Sequence, residues 1–351
     1  MASKTWVFST LMLTLLTICL ICGLNVLIDP LWLFGHSHSF NSHQNGFNER
    51  LQKSLYLRKQ VNTQQLDALL FGSSRVTYYN VSQVKTDLNI FNYSFSYGVP
   101  GEFINYLSYA KGLKGSDYQY IILGLDFIGP AIEPRISVID QVLDDFEIYK
   151  KYATLTMLKH SWKNIKNSLE HHAGHRAYTR SLDVLADQPT PDKVLKIAEK
   201  RIESLYKDLT FKEQYFEDLK TLKRENPNTQ FIIFTTPLSQ VFLDRIGSEP
   251  YLKKQYFKWL KELTAIFNEV HFYTHYNDLA KNFARLSKDG GHFYNSVGHE
   301  ILRHLLEYSG QVTDKKNHKH HEPNCLLFST DLEHQAINFK RLEKQWAHSH
   351  K

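Results

Sequence analysis

Short apolar runs alternate with longer amphipathic stretches over most of the chain. The runs are 66–71 (LDALLF), 89–95 (NIFNYSF), 120–125 (YIILGL), 230–235 (QFIIFT) and 269–273 (EVHFY). Several are continuously apolar, which is typical of parallel strands covered on both faces. Amphipathic segments at 102–113, 190–225 and 250–267 predict helices between them. The alternation predicts an α/β fold: a three-layer, flavodoxin-like domain with a mostly parallel sheet over about 65–310, preceded by one transmembrane helix.

The first residues carry the strongest hydrophobic pattern. Residues 6–28 (WVFSTLMLTLLTICLICGLNVLI) hold no charge, and a helix of this length crosses a hydrocarbon layer of ~30 Å. A cleaved signal peptide has a shorter apolar core and a small-residue cleavage site, and bulky Ile21 argues against a lipoprotein site at Cys22. A buried core helix is the remaining alternative. We expect an uncleaved, single-pass anchor in the cell membrane that contacts the lipid bilayer through residues 6–28, with the main domain extracytoplasmic, as in a periplasm.

Other segments fit less regular patterns. Residues 31–64 form a juxtamembrane segment, and 135–189 lack a clear strand and are interpreted as a helical insertion. From 311 a polar linker leads to a charged amphipathic tail that ends at 351. Cys325 is the one cysteine beyond the anchor, so no intrachain disulfide can form in the soluble part.

Charge narrows the classes of partner. The 351 residues carry a net charge of +6, but the Lys and Arg residues are scattered among acids, as in KDLTFKEQYFEDLKTLKRE at 207–225. This pattern indicates solvated helix faces. We therefore expect no nucleic-acid partner.

Polar residues follow each predicted strand. In chain order they are 72–75 (GSSR), 97–102 (YGVPGE), 126–127 (DF), 236–237 (TP) and a longer loop that reaches 289–292 (DGGH). Ligands of open parallel sheets bind beyond the carboxyl ends of the strands, so these segments are expected to share one rim.

Asp289 and His292 lie three positions apart in a glycine-containing loop before an amphipathic helix. A carboxylate beside an imidazole accepts its Nδ1–H, fixes the tautomer and stabilises the protonated ring. A serine hydroxyl needs such a base to act as a nucleophile, and Ser74 is the natural partner. Two simpler interpretations stay open: Ser74 as a turn hydroxyl, and His292 as a helix-capping or core residue.

These residues lie in motifs that resemble those of a known protein family. The strand ending in GSSR, the turn SYGVPGE and the late D-x-x-H-F block resemble the SGNH, or GDSL-like, hydrolase superfamily over residues 65–308. The resemblance implies Ser74 as nucleophile, His292 and Asp289 as its triad partners, and Gly98 as a backbone oxyanion donor beside the Ser74 backbone. Ser73 replaces the Asp of better-known members, a change also seen in membrane-anchored relatives that move acyl or alanyl groups on envelope polymers.

With GSSR counted as the first block of the family pattern and SYGVPGE as the second, the third block departs from the family. Members of the family carry Gly-x-Asn-Asp in this block, and the Asn donates to the oxyanion. This chain has GLDF at 124–127 instead. An ionised Asp126 only accepts hydrogen bonds and repels developing negative charge. Asp126 is either turned away, toward Arg75, or another donor such as Asn105 serves with backbone N–H groups. Arg75 has two interpretations, binding a substrate anion or neutralising Asp126.

Histidine-rich pieces raise a metal interpretation. His171, His172 and His175 form one cluster, and His318, His320 and His321 form another. Neither cluster is accompanied by cysteine, so structural or incidental roles are favoured over a metal site. The expected chemistry needs no metal and no cofactor.

The sequence thus predicts a membrane-anchored serine esterase or O-acyltransferase. Its expected substrates are ester-linked acyl groups of cell-envelope glycans or lipids. The alternative is a catalytically inactive relative that binds a glycan, or a scaffold that joins a membrane-protein partner.

Overall fold

The computed structural model describes residues 2–172, 176–275, 277–311 and, as a backbone strand, 326–328. Its helices are α1 (Ala2–Ile28), α2 (Glu49–Val61), α3 (Pro100–Lys114), α4 (Ile139–Leu143), α5 (Asp145–Tyr152), α6 (Leu155–Leu169), α7 (Pro191–Leu205), α8 (Gln214–Arg224), α9 (Gln240–Ser248), α10 (Pro250–Phe267), α11 (Asp278–Lys281), α12 (Phe283–Leu286) and α13 (Asn295–Tyr308). Its strands are β1 (Gln44–Asn45), β2 (Ala68–Gly72), β3 (Ile90–Asn92), β4 (Tyr120–Leu125), β5 (Ala177–Tyr178), β6 (Val184–Leu185), β7 (Gln230–Thr235), β8 (Glu269–His271) and β9 (Leu326–Phe328). The chain forms two compact units: residues 1–63 and 137–187, here called the anchor unit after the predicted anchor, and residues 64–136 and 188–351, called the sheet unit.

Five parallel strands in the order β3-β2-β4-β7-β8 build the sheet unit. In chain order this is second, first, third, fourth, fifth, which is the flavodoxin-like order. The antiparallel strand β9 pairs with β8 at one edge. Helices flank the sheet, so the predicted α/β class with a mostly parallel sheet is confirmed.

Burial explains the continuous apolar runs. Every residue of β2 is buried, as are the last five of β4 and the last four of β7. Strands covered on both faces need apolar side chains at consecutive positions, not alternate ones. All five predicted runs therefore contain a strand.

One helix prediction differs from the structure, and one helix was missed. Helix α10 begins and ends where predicted, but the predicted helix at 190–225 is two helices, α7 and α8. The connection between them includes Asp208 at φ 54°, a left-handed conformation that an α-helix does not accommodate. Helix α9, after β7, was not predicted.

The anchor unit contains the apolar N-terminal helix. Residues Lys4–Ile28 of α1 are long and apolar enough to cross a membrane, and only 11% of the most apolar stretch is buried, so a buried core helix is the wrong interpretation. Helices α4–α6 pack with α1 and α2, and β1, β5 and β6 form a small antiparallel sheet. The two short strands within 135–189 were not anticipated. Asp29, wholly buried, accepts backbone N–H groups of residues 33–35 and turns the chain after α1.

Several sequence predictions fall beyond the described residues. These are His175, His318, His320, His321, Cys325 and the predicted linker and tail, apart from the β9 backbone.

Candidate active site

Ser74 lies in a sharp turn at the carboxyl end of β2. The carbonyl of Ser73 accepts the Val76 N–H at 3.0 Å, and the carbonyl of Ser74 accepts the Thr77 hydroxyl at 2.7 Å. These bonds reverse the chain directly after the buried strand. Ser74 is left partly exposed between buried neighbours.

The loop 287–293 is shaped by its own aspartate and glycine. Ser287 and Phe293 form an antiparallel bridge across the loop, and Gly290 between them has φ +78°, which favours glycine. Asp289 Oδ1 accepts the backbone N–H groups of Gly291 and His292 at 3.1 and 2.8 Å. Such local carboxylate bonds fix a tight turn, and here they hold the imidazole beside its own carboxylate.

The two loops meet through the Ser74 hydroxyl. Ser74 Oγ lies 2.8 Å from His292 Nε2, and His292 Nδ1 lies 2.9 Å from Asp289 Oδ2. A carboxylate only accepts hydrogen bonds, so Nδ1 carries the ring hydrogen and Nε2 is the unprotonated acceptor of the serine hydroxyl. The structure brings together the three residues that the sequence predicted, in the order hydroxyl, imidazole, carboxylate.

Arg201 of α7 adds a cation that the sequence did not indicate. Its Nη1 donates to Asp289 Oδ2 and lies 3.2 Å from His292 Nδ1. Arg201 is one of many cations on a charged amphipathic helix, and no spacing marks it. Only the packing of α7 against the site loop places it there, because the Gly290 backbone lies directly on Ala198.

Burial and charge set the protonation of the pair. Burial lowers the pKa of His292 to about 4, although Asp289 acts in the opposite direction; Arg201 and Arg75 lower it further. Burial by itself would raise the pKa of Asp289, but His292 and Arg201 outweigh it and hold the pKa below its ordinary value. At neutral pH the imidazole is therefore neutral and can accept a proton.

Asp126 is turned toward Arg75. Its Oδ2 lies 2.9 Å from Arg75 Nη1 and accepts the Ser73 hydroxyl at 2.5 Å, and its Oδ1 accepts the Thr236 hydroxyl at 2.7 Å. Arg75 also donates from Nε to the Gly291 carbonyl at 3.0 Å. Both charged groups are nearly buried, and together they tie the ends of β2, β4 and β7 to the histidine loop. Of the two interpretations of Arg75, the structure supports neutralisation of Asp126.

Gly98 does not have the predicted geometry of an oxyanion donor. Its N–H donates to the Phe95 carbonyl at 2.9 Å, within its own turn. A Cβ at this position would lie 2.7 Å from the Gly72 carbonyl oxygen and 2.9 Å from the Phe103 ring. The structure therefore gives Gly98 a packing role: the missing side chain lets the turn that contains Gly98 approach the end of β2.

Asn105 is also not brought to the site. It lies in α3 at a solvent-exposed position, and none of the site contacts given above includes it. The prediction came from its place in the chain after the glycine turn, but helical geometry puts this position on the outer face of α3.

Metal ligands do not cluster in the part of the chain that the structure describes. Among those residues, no group of three or more His, Cys, Asp or Glu is placed to hold an ion. His171 and His172 of the first histidine-rich piece lie within that part.

Comparison with solved structures gives a distant similarity, whereas the other comparisons find nothing. No protein-family model matches the chain, and no curated protein matches it significantly. A solved structure from Streptococcus pneumonia, provisionally described as a platelet activating factor, is similar at 12% sequence identity and a TM-score of 0.37, over 74% of this chain and 92% of the other. A similarity this distant carries no information about activity.

Proposed function

We propose that this chain is a serine esterase or O-acyltransferase that works through Ser74, His292 and Asp289. The observation that carries the proposal is the 2.8 Å contact of Ser74 Oγ with His292 Nε2, on a ring whose other nitrogen lies 2.9 Å from Asp289. Serine is too weak an acid to attack an ester unaided, and this arrangement supplies its base. The sequence resemblance to SGNH hydrolases supports the same assignment.

The chemistry follows from the geometry. Ser74 Oγ attacks the ester carbonyl carbon while its proton moves to His292 Nε2, and Asp289 stabilises the protonated ring. The tetrahedral intermediate then expels the alcohol, which takes the proton from Nε2 and leaves an acyl group on Ser74. Water or a sugar hydroxyl attacks this acyl-enzyme in the same way and releases the acid or the transferred ester.

The surroundings of the enzyme suggest its substrate. Helix α1 is long and apolar enough to hold the chain in a membrane, and we place the sheet unit outside the cytoplasm. Ester-linked acyl groups on envelope glycans or lipids would then lie within reach. With the three native cysteines replaced by serine, a membrane-impermeant maleimide should label a Lys220→Cys variant in intact cells, since Lys220 is exposed in the sheet unit. Labelling only after lysis would reverse the orientation.

Full-length protein in detergent provides the main test. We expect hydrolysis of a p-nitrophenyl ester, with at least about 10³-fold less activity in Ser74→Ala. A fluorophosphonate should modify Ser74 and should leave every other serine of the chain unmodified. Ser82→Ala, at an exposed serine of the sheet unit, is the control and should behave as wild type. Hydrolysis that persists in Ser74→Ala would remove this residue from the mechanism.

A second candidate function is glycan binding or scaffolding without catalysis. It is favoured by two observations: the Gly98 N–H is bonded within its turn, and Asp126 replaces the donor of the third block. Loss of one oxyanion donor typically lowers the rate by about 10² to 10³. An inactive chain would turn over no ester, would resist the fluorophosphonate, and would bind envelope glycan fragments equally well in wild type and Ser74→Ala.

A further inference from the structure

Helix α6 of the anchor unit packs inward through polar side chains. Ser161 donates to Asn25 Oδ1 at 2.7 Å, and Asn164 Oδ1 accepts the Asn45 N–H at 2.9 Å. Ser168, one turn further along, accepts a backbone N–H of the segment before β1 at 3.0 Å. These three positions are buried. The face of α6 that is fixed to the rest of the unit is thus held largely by hydrogen bonds.

The outward face of α6 is apolar. Leu155, Trp162 and Leu169 are 64%, 66% and 57% exposed, and they follow one another at seven-residue intervals, so they form one stripe along the helix. Lys159, Lys163 and Lys166 lie on the side of the helix next to the stripe and are also exposed. An ordinary surface helix buries its large apolar side chains, so three such side chains exposed in one stripe are unusual.

The stripe lies in the unit that contains the membrane-length helix. Asn25, in the last turn of α1, is wholly buried: it accepts from Ser161 of α6 and donates to the Tyr152 carbonyl of α5 at 2.7 Å. Helix α6 is therefore fixed to the end of α1, where the apolar stretch of the chain stops. The short helix α5 also exposes apolar rings, Phe146 and Tyr149.

We infer that the Leu155–Leu169 helix lies on the membrane surface, with its apolar stripe in the boundary between headgroups and acyl chains and its lysines on anionic headgroups. Trp is favoured at that boundary, and lysine stems extend their ammonium groups from it toward phosphate. Lysines are depleted in protein–protein interfaces, so the lysine-lined stripe fits lipid better than a protein partner. The inference rests on α1 entering the bilayer, which belongs to the proposed function, and it adds a second lipid contact that orients the anchor unit.

Site-specific fluorescence in nanodiscs tests this contact. The full chain, with its three cysteines replaced by serine, is labelled with an NBD fluorophore at Trp162→Cys and reconstituted with phosphatidylcholine and phosphatidylglycerol. Lipids that carry a nitroxide near the headgroup should quench this label, and aqueous iodide should quench it several-fold less than a label at Lys220→Cys. A label at Leu13→Cys, in the middle of α1, reports insertion of the anchor through quenching by lipids that carry the nitroxide on the acyl chain.

Each pattern of quenching at positions 13, 162 and 220 supports one conclusion. If position 162 behaves like position 220 while position 13 is quenched by lipid, the surface contact is wrong and the anchor stands. If position 162 is protected from both quenchers, protein covers the stripe and the inference is overturned. If position 13 is also open to iodide, both the surface contact and the anchor are wrong.

A charge-reversal series tests the anionic headgroups. Lys159→Glu, Lys163→Glu and Lys166→Glu together should lower lipid quenching at position 162 several-fold in discs that contain phosphatidylglycerol. The matched control reverses three lysines of α10 in the sheet unit, Lys253, Lys254 and Lys261, and should leave quenching unchanged. Equal quenching in both triple variants would overturn the headgroup contact.

Discussion

Arg201 donates to the same carboxylate oxygen of Asp289 that lies nearest the His292 ring. The carboxylate thus shares its charge between an imidazole and a guanidinium. A permanent cation here opposes protonation of His292, whereas Asp289 favours it. Arg201 is therefore a positioning residue that both orients Asp289 and adjusts the basicity of the ring.

Removal of Arg201 should move the pH dependence of catalysis. Ester hydrolysis needs neutral His292, so kcat/KM of wild type should rise with pH through the pKa of this group, near 4. Arg201→Gln removes a group that lowers this pKa, so the acidic limb should shift to higher pH. Arg201→Lys keeps the charge and should stay close to wild type. A purely structural role would lower the rate at all pH values and leave the limb in place.

Asp126→Asn restores the residue type of the SGNH third block, but we expect no gain in activity. The Asp126 side chain is engaged by Ser73, Thr236 and Arg75, and none of these contacts points to an oxyanion. The substitution leaves the nearly buried Arg75 without its counter-ion, and breaking a buried pair costs roughly 3–5 kcal/mol. Thermal unfolding and ester hydrolysis measure the two effects.

A double variant separates the ion pair from the rest of the site. Arg75→Met combined with Asp126→Leu removes both charges and should be less destabilised than Asp126→Asn alone. Faster hydrolysis by Asp126→Asn than by wild type would contradict this assignment and indicate that residue 126 faces the substrate.

The glycines of the second block and of α3 make a matched pair for alanine substitution. In Gly98→Ala the new Cβ would meet the Gly72 carbonyl at 2.7 Å, and overpacking of this kind costs roughly 1–3 kcal/mol. Gly112 of α3 has nothing within 4 Å, so Gly112→Ala should stabilise by about 0.5–1 kcal/mol through helix propensity. Thermal unfolding of both variants in one detergent gives the comparison; equal shifts would rule out the close approach at Gly98.

Patterns in the chain predicted the parts of the fold and site that depend on local sequence. Fully buried strands impose continuous apolar runs, and the Asp289–His292 pair is close because the two residues are three positions apart in one loop. The contact with Ser74, more than two hundred positions away, followed from the rule that strand ends share a rim.

Other features depend on packing between distant segments, which a single sequence does not encode locally. Arg201 reaches the site only because α7 packs on the Gly290 loop. The Gly98 N–H donates to a carbonyl three residues earlier, and the residue type alone does not indicate this hydrogen bond. In α2 the polar residues Gln52, Lys53 and Ser54 are buried, which no amphipathic pattern predicts.

Lys53 of α2 makes the stability of the anchor unit depend on pH. Burial lowers the pKa of this wholly buried lysine to about 7, against Glu49, which raises it; Arg176 lowers it further. Between about pH 7 and the unfolded value of 10.5, the unfolded state binds the extra proton, so stability rises with pH. The free energy of unfolding of Lys53→Met, measured by denaturant titration, should therefore exceed that of wild type most below pH 7. This excess should shrink toward pH 10. Lys59→Met, on an exposed position of α2, is the control. A difference in the free energy of unfolding between Lys53→Met and wild type that stays constant from pH 6 to 10 would refute the assignment.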